Sequence, residues 1–408
     1  MKNLLLFEWK KSTKRIHFFV IILCVFLSCL FFFIFNHVEN NKQIEMNKQF
    51  YSKNIQAVEH FQDTLGAQLP GAELEKNQQM IDEQKKQFQK MNQGSDKEQI
   101  TSKIEKWHSD IIDQEQLIGA ESSASLPQVV KELTLQEYSL LLEKKVKPAY
   151  PLNSVIPETI LPDYDKVDWQ HYEQVNTKRK YDQGWLMVYS FFKSDMSFIV
   201  FLLIVLLFGS SVTLEYSKKH RHSRFLQSQG VTYFPLLASK LITSFISVLL
   251  LLVAGLLAFL VSAYIFSDIG SLNYPILNYF FQSSLAPLDY RWSTLGMYLL
   301  QAISLFLLCV VFILAFCYVL GQLFQSELLS WLFGFTMIGA SYIVPASIWN
   351  PLYYFHIHEV VSGMGAYAAN QDSLSTRSGF LSVGMSLIVL FMIGGVLTTM
   401  RNKPQIYK

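Results

Sequence analysis

The sequence predicts an all-α integral membrane protein, with six transmembrane helices and a large, mostly helical extracellular insertion between helices 1 and 2. Three observations carry this expectation. Hydrophobic residues make up 51% of the 408 and charged residues only 16%, too apolar a balance for an ordinary soluble chain of this length. Uniformly apolar windows recur along the chain, each near the roughly 20 residues that a helix needs to cross a bilayer. One polar stretch of about 150 residues, a typical domain size, interrupts them after the first window.

In order, the windows are Ile16 to Asn36, Met196 to Leu214, Leu241 to Ser267, Trp292 to Leu320, Leu328 to Ile348 and Ser378 to Met400. The fifth is broken only by small residues and Pro345. Barrel strands would alternate apolar and polar residues, which these windows do not. The organisation is therefore read as 1–36, an interfacial N-terminal helix and helix 1; 37–185, the extracellular helical domain; and 186–408, helices 2–6.

Orientation follows from Lys and Arg in the short flanks, which stay on the cytoplasmic side. Lys2, Lys10, Lys11, Lys14 and Arg15 precede the first window, a dense basic stretch follows the second, and Arg401, Lys403 and Lys408 follow the sixth. Both termini are expected in the cytoplasm, in a multi-pass membrane protein. The link from Gly321 to Ser330 carries only Glu327 and adds nothing to this scheme. The first window is longer than the apolar core of a secretory signal and no small-residue cleavage site follows Phe35, so it is read as a retained anchor. All four cysteines, Cys24, Cys29, Cys309 and Cys317, fall inside predicted spans and are read as small packing residues, not as a disulfide framework.

The polar stretch from Asn36 to Trp185 holds 24 acidic and 18 basic residues, so the rest of the chain carries the positive balance. Apolar spacing predicts helices over Ala72–Met91 and Gln99–Ile118, joined at Gly94-Ser95, and a third over Pro127–Lys145 with Leu133, Leu140 and Leu141 on one side. Pro148, Pro151, Pro157 and Pro162 then hold the chain extended. Recognition of a substrate or partner, and a stalk or cover over a pore, are equally compatible with this composition.

The basic stretch "LEYSKKHRHSRFLQSQGVTYFPLLASK" between the second and third windows concentrates Lys218, Lys219, Arg221 and Arg224. The positive-inside rule alone accounts for charge there. Residues 217–229 also read as a short helix that ends at Gly230 and presents Phe225 and Leu226, and Pro235 opens the next helix before Lys240. Charge together with two apolar knobs fits the docking surface of a soluble partner.

With Glu215 closing the second window and Lys240 entering the third, this pattern resembles the ABC-2 type permeases of bacterial ABC transporters. The N-terminus "LLLFEWKKSTKRIHFFVIIL", with Glu8, Trp9, Lys10 and Lys11, is similar to the interfacial helix before the first span in that family. "PASIWNPLYYFHIHEVVSG" resembles its aromatic external turn, and the chain departs from the pattern in having Gln229-Gly230 where Leu-Pro is frequent. The resemblance covers residues 1–36 and 186–408. It implies that 217–229 is a coupling helix resting on a separate ATPase subunit, with Glu215, Lys218, Lys219, Arg221, Arg224, Phe225, Leu226 and Lys240 at that interface. It further implies a second permease copy or paralogue, membrane lipids around the spans, and a peptide, lipid or other amphiphilic cargo.

No phosphate loop of the form GxxxxGK[ST] occurs, so this chain is expected to be no enzyme and to hold no cofactor, with ATP and Mg on the partner ATPase. No nucleic acid partner is expected. In "HIHE", His356 and His358 sit about 200° apart on a helix and do not share a face for one metal; a structural role is expected for them, and a solvated docking face for His220 and His222. The windows are almost free of charge apart from Lys193 and Asp195 at the edge of the second, which disfavours an ion relay and suits amphiphilic cargo. Uncharged Ser210, Ser211, Thr213, Gln301 and Ser304 line a dimer interface or bond within their own helices. The alternative function is a membrane sensor or scaffold that detects an extracellular peptide without transport.

Overall fold

The structure, a computed structural model, describes residues 2–13, 16–65, 128–149, 181–209, 233–280 and 290–402, with isolated helical positions between 79 and 104. The described part is mostly helical and divides into two units. One comprises Met1–Phe31, Met187–Val261 and Ile276–Lys408; the other comprises Phe32–Leu186 and Ser262–Pro275.

In chain order the elements are α1 (Lys2–Thr13), α2 (Ile16–Leu65), α3 (Gln128–Glu143), α4 (Gly184–Lys193), α5 (Met196–Phe208) and α6 (Tyr233–Phe266). Strands β1 (Pro275–Tyr279) and β2 (Tyr290–Thr294) follow, then α7 (Leu295–Phe324) and α8 (Glu327–Ala340). A 3-10 turn (Tyr353–Phe355), α9 (Ile357–Ser362), α10 (Met364–Ala368) and α11 (Thr376–Asn402) complete the order. The strands pair in a two-stranded sheet, which corrects the purely helical reading: "PILNY" and "YRWST" are rich in the β-branched and aromatic residues that favour strands.

Among the described residues, four helical segments are long and apolar enough to cross a membrane: Phe19–Met46, Ala238–Phe266, Leu295–Phe324 and Thr376–Leu397. Among the described residues the number of membrane-length helices rises to five if the pair α4 and α5, bent by 76°, forms one span. Two of the six expected windows form no straight membrane-length helix within the described residues. The second is entered through a sharp bend at Ser194-Asp195, where Asp195 adopts the left-handed conformation at φ 52 and its N–H bonds the Phe192 carbonyl at 3.2 Å. The fifth forms only the 14 residues of α8, about 21 Å of helix against the roughly 30 Å of a hydrocarbon core. Its helix stops at Ala340, and Pro345 bars a continuation because it lacks an N–H and clashes with the preceding turn.

The first window also runs past its expected end. α2 continues unbroken for 50 residues, about 75 Å, because its sequence turns polar after Asn36 without any Gly or Pro until Gly66. Polarity changes the solvent of a helix without ending it.

In the first unit α7 is the centre, packing against α5, α8, α9 and α11. Thr294 caps its start, its Oγ1 accepting the Met297 N–H at 3.4 Å. Phe201 of α5 stacks on Phe306 of α7 with ring centroids 4.9 Å apart, and Phe355 closes on Phe201 at 5.2 Å. Gly363, at φ +78, joins α9 to α10 where any Cβ would strike the Tyr279 carbonyl, so only glycine fits against the end of β1.

The second unit is built on a helix with one buried stripe. In α3, Val130, Leu133, Thr134, Glu137, Tyr138 and Leu141 are buried at the i, i+3, i+4, i+7 spacing. α3 lies within the helix predicted over Pro127–Lys145, although Leu140 is only half-buried. The Tyr274 hydroxyl donates to Glu137 Oε1 at 3.0 Å, which offsets the desolvation of that carboxylate. Gly184 and Trp185 donate their N–H groups to the carbonyls of Asp268 and Ile269, both at 3.0 Å. Gln183 Nε2 donates to the Pro148 carbonyl at 2.9 Å, and His37 Nδ1 lies 3.2 Å from Asp182 Oδ2. The helices expected over Ala72–Met91 and Gln99–Ile118 fall, apart from isolated positions, outside the described residues.

Candidate functional site

Of the residues singled out from the sequence, two that lie 232 positions apart meet. Lys240 Nζ stands 3.5 Å from Glu8 Oε2, and each side chain is only 7% exposed. Glu8 belongs to α1, the helix before the first span; Lys240 belongs to the opening turns of α6, the helix that follows the basic stretch.

The local sequence of each helix explains the meeting. Along α1, Leu4, Leu5 and Trp9 are half-buried beside buried Glu8, whereas Leu6, Phe7 and Lys10 are exposed. Its acidic residue faces protein while two of its apolar residues, Leu6 and Phe7, face outward, an arrangement that suits a lipid surround. Along α6, Ser239, Thr243 and Ser247 recur every four residues on one buried face next to Lys240. Their hydroxyls donate to the carbonyls of Leu236, Ser239 and Thr243 at 2.7, 2.8 and 2.9 Å, so this polar face satisfies itself within its own helix.

A buried pair of this kind holds two elements in register more than it stabilises the fold. Desolvation of both charges roughly offsets their attraction, whereas removing one partner strands the other at about 3–5 kcal/mol. Glu8 Oε1 finds no hydrogen-bond partner among the described residues. The remaining interface residues, Glu215, Lys218, Lys219, Arg221, Arg224, Phe225 and Leu226, lie outside the described residues, as does the side chain of Lys11.

The sequence marks both Glu8 and Lys240 but not their pairing. Opposite charges at the ends of two apolar runs were the only available signal, and tertiary packing alone brings them together.

The "HIHE" cluster sits at another buried polar position of this unit. His358 Nδ1 is 2.8 Å from Tyr298 Oη, with Tyr189 edge-on to the imidazole at 5.7 Å. His356 instead turns its Nε2 to the Ser341 carbonyl at 3.2 Å. The two rings serve different partners, and among the described residues no group of three or more His, Cys, Asp or Glu side chains is placed to hold a metal ion. Lys193 and Asp195 flank the bend between α4 and α5, with Lys193 Nζ 6.0 Å from the Tyr189 ring centre. All four cysteines are free thiols, Cys309 and Cys317 being buried in α7.

Comparison with known protein families, curated proteins and solved structures returns no match to this chain.

Proposed function

We propose that this chain is the transmembrane permease subunit of an ATP-driven exporter of the ABC-2 class, acting in a bacterial cytoplasmic membrane with both termini inside. A separate ATPase subunit supplies the energy, and a second permease copy or paralogue completes the pathway. Peptides, lipids and other amphiphiles are the cargo class that spans almost free of charge favour.

One observation supports the reading beyond the resemblance of the basic stretch to a coupling helix. The Glu8–Lys240 pair ties α1 to the start of α6, the helix into which the basic stretch runs. A partner that pushes on residues 217–229 then moves α1 and α6 together, because separating them breaks a buried ion pair. Rigid-body switching of packed helices needs a shared body of this kind.

The test is gentle extraction of the tagged chain from its native membrane, with identification of what co-purifies and measurement of ATPase activity on the same sample. The proposal expects an ATPase subunit in about equal amount, lost when Arg221→Glu and Phe225→Ala are combined. An extract without an ATPase subunit, in which the same substitutions abolish a response to an extracellular peptide, establishes the sensor reading instead.

A further inference from the structure

Between α8 and α9 the fold buries an imidazole with one nitrogen engaged and the other bare. The Ser341 carbonyl can only accept, so His356 Nε2, 3.2 Å away, carries the proton of the neutral ring. Nδ1 is then a lone pair, and it has no hydrogen-bond partner among the described residues. The nearest carboxylate oxygen, Glu359 Oε1, lies 4.0 Å from it. In the neutral state two acceptors face each other across that gap.

Aromatic rings surround this imidazole. Phe198 of α5 and Tyr342 after α8 each lie 4.9 Å from it between centroids, and Tyr353 of the 3-10 turn lies at 6.3 Å. The titratable groups facing it are Glu359 on α9, Tyr342, Tyr353 and, acting through Tyr342, Asp195 at the bend before α5. Burial and then the Asp195 and Glu359 carboxylates hold the Tyr342 phenol above its ordinary range. Burial, Glu359 and the neighbouring Tyr354 do the same to Tyr353. Both phenols therefore stay neutral.

We propose that His356 is a proton-operated latch, in which uptake of a proton at Nδ1 turns the opposed acceptors into a charge-assisted hydrogen bond to Glu359 and fixes the segment after α8 against α5 and α9. Imidazole is the side chain suited to this, because its charge changes between about pH 5 and 8. The proton comes from solvent and only one N–H bond forms. Neutral His356 holds Ser341 alone; protonated His356 holds Ser341 and Glu359 together, with the rings of Phe198, Tyr342 and Tyr353 around the charge. The inference does not depend on whether the chain transports anything.

Hydrogen exchange of the whole chain in lipid nanodiscs tests it, reading the amides of residues 341–358 at about pH 5.5 and pH 8 after correction for the intrinsic pH dependence of exchange. The latch predicts amides protected about tenfold or more at the acid pH, the size of one charge-assisted hydrogen bond. Glu359→Gln, at a half-exposed site that leaves packing intact, is expected to cut that difference to about threefold or less by weakening the acceptor. His356→Gln is expected to abolish it. Equal protection at both pH values in the unmodified chain overturns the proposal, and so does an undiminished response in Glu359→Gln. If His356→Gln fails to fold, the Glu359 variant decides alone.

Discussion

α7 and the membrane-length part of α2 are both uninterrupted apolar helices long enough to span a bilayer, yet 61% of the α7 window is buried within the protein against 6% of the α2 window. The difference lies in what surrounds them. α7 carries alternating bulky and small residues (Phe306, Cys309, Phe312, Ala315, Cys317) into which α5, α8 and α11 fit. α2 presents Phe19, Leu23, Leu27, Phe31 and Phe35 outward, where lipid tails serve as well as any side chain. In a bilayer an apolar side chain does not need a protein neighbour, so apolarity selects the solvent and packing shape selects the neighbours.

Substitutions sharpen that contrast. The largest effect is expected where α7 is most enclosed: Phe306→Ala removes a ring stacked on Phe201 and close to Phe192, and should destabilise by about 3 kcal/mol or more, because lipid cannot fill the cavity. Thermal unfolding of the chain in nanodiscs reads this directly. Of similar size is Lys240→Met, which leaves Glu8 buried and unpaired at about 3–5 kcal/mol; combining it with Glu8→Leu should recover most of that loss, which a double-mutant cycle measures.

An intermediate effect is expected where α8 meets α5 and α7. A methyl group added at Gly334 would lie 2.6 Å from Val205 Cγ1 and 3.6 Å from Cys317 Sγ, so Gly334→Ala should cost about 1–3 kcal/mol by overpacking. At the lipid-facing end of the comparison, Phe31→Ala on α2 should change stability by under about 0.5 kcal/mol. A large loss at Phe31 would mean that another protein surface covers that face.

The smallest effect belongs to the second unit, in which a partly exposed pair joins Lys147 Nζ to Asp268 Oδ2 at 3.1 Å. The Lys147 hydrogen bond holds the Asp268 carboxyl below its ordinary value of 3.8. A lowered folded-state value contributes stability above the unfolded value, and that stability is lost as pH falls through the folded one. Asp268→Asn should therefore destabilise by no more than about 1 kcal/mol at neutral pH and by nothing at strongly acid pH, where both chains carry a neutral side chain.

Some features were legible before any coordinates. The helix over Gln128–Glu143 follows from its apolar spacing, and the diverging roles of His356 and His358 follow from their separation by one residue. Others were hidden for identifiable reasons. α2 passes its expected end because a change in polarity carries no stop signal, whereas α8 falls short of a span because Pro345 does carry one. The sheet of β1 and β2 was concealed in a loop whose pairing depends on residues 11 or more positions apart.

By itself the sequence determined that several long runs are apolar enough to cross a bilayer, and that helices are the form that satisfies the backbone of such runs. It also determined which charges are exceptional, Glu8 and Lys240 among them. Only the tertiary structure decided that these two neutralise each other, that α7 and not α2 is the centre, and that His356 keeps one nitrogen bare beside Glu359. Transfer of a residue between media is a property of that residue, whereas packing, pairing and enclosure belong to sets of residues that only the folded chain assembles.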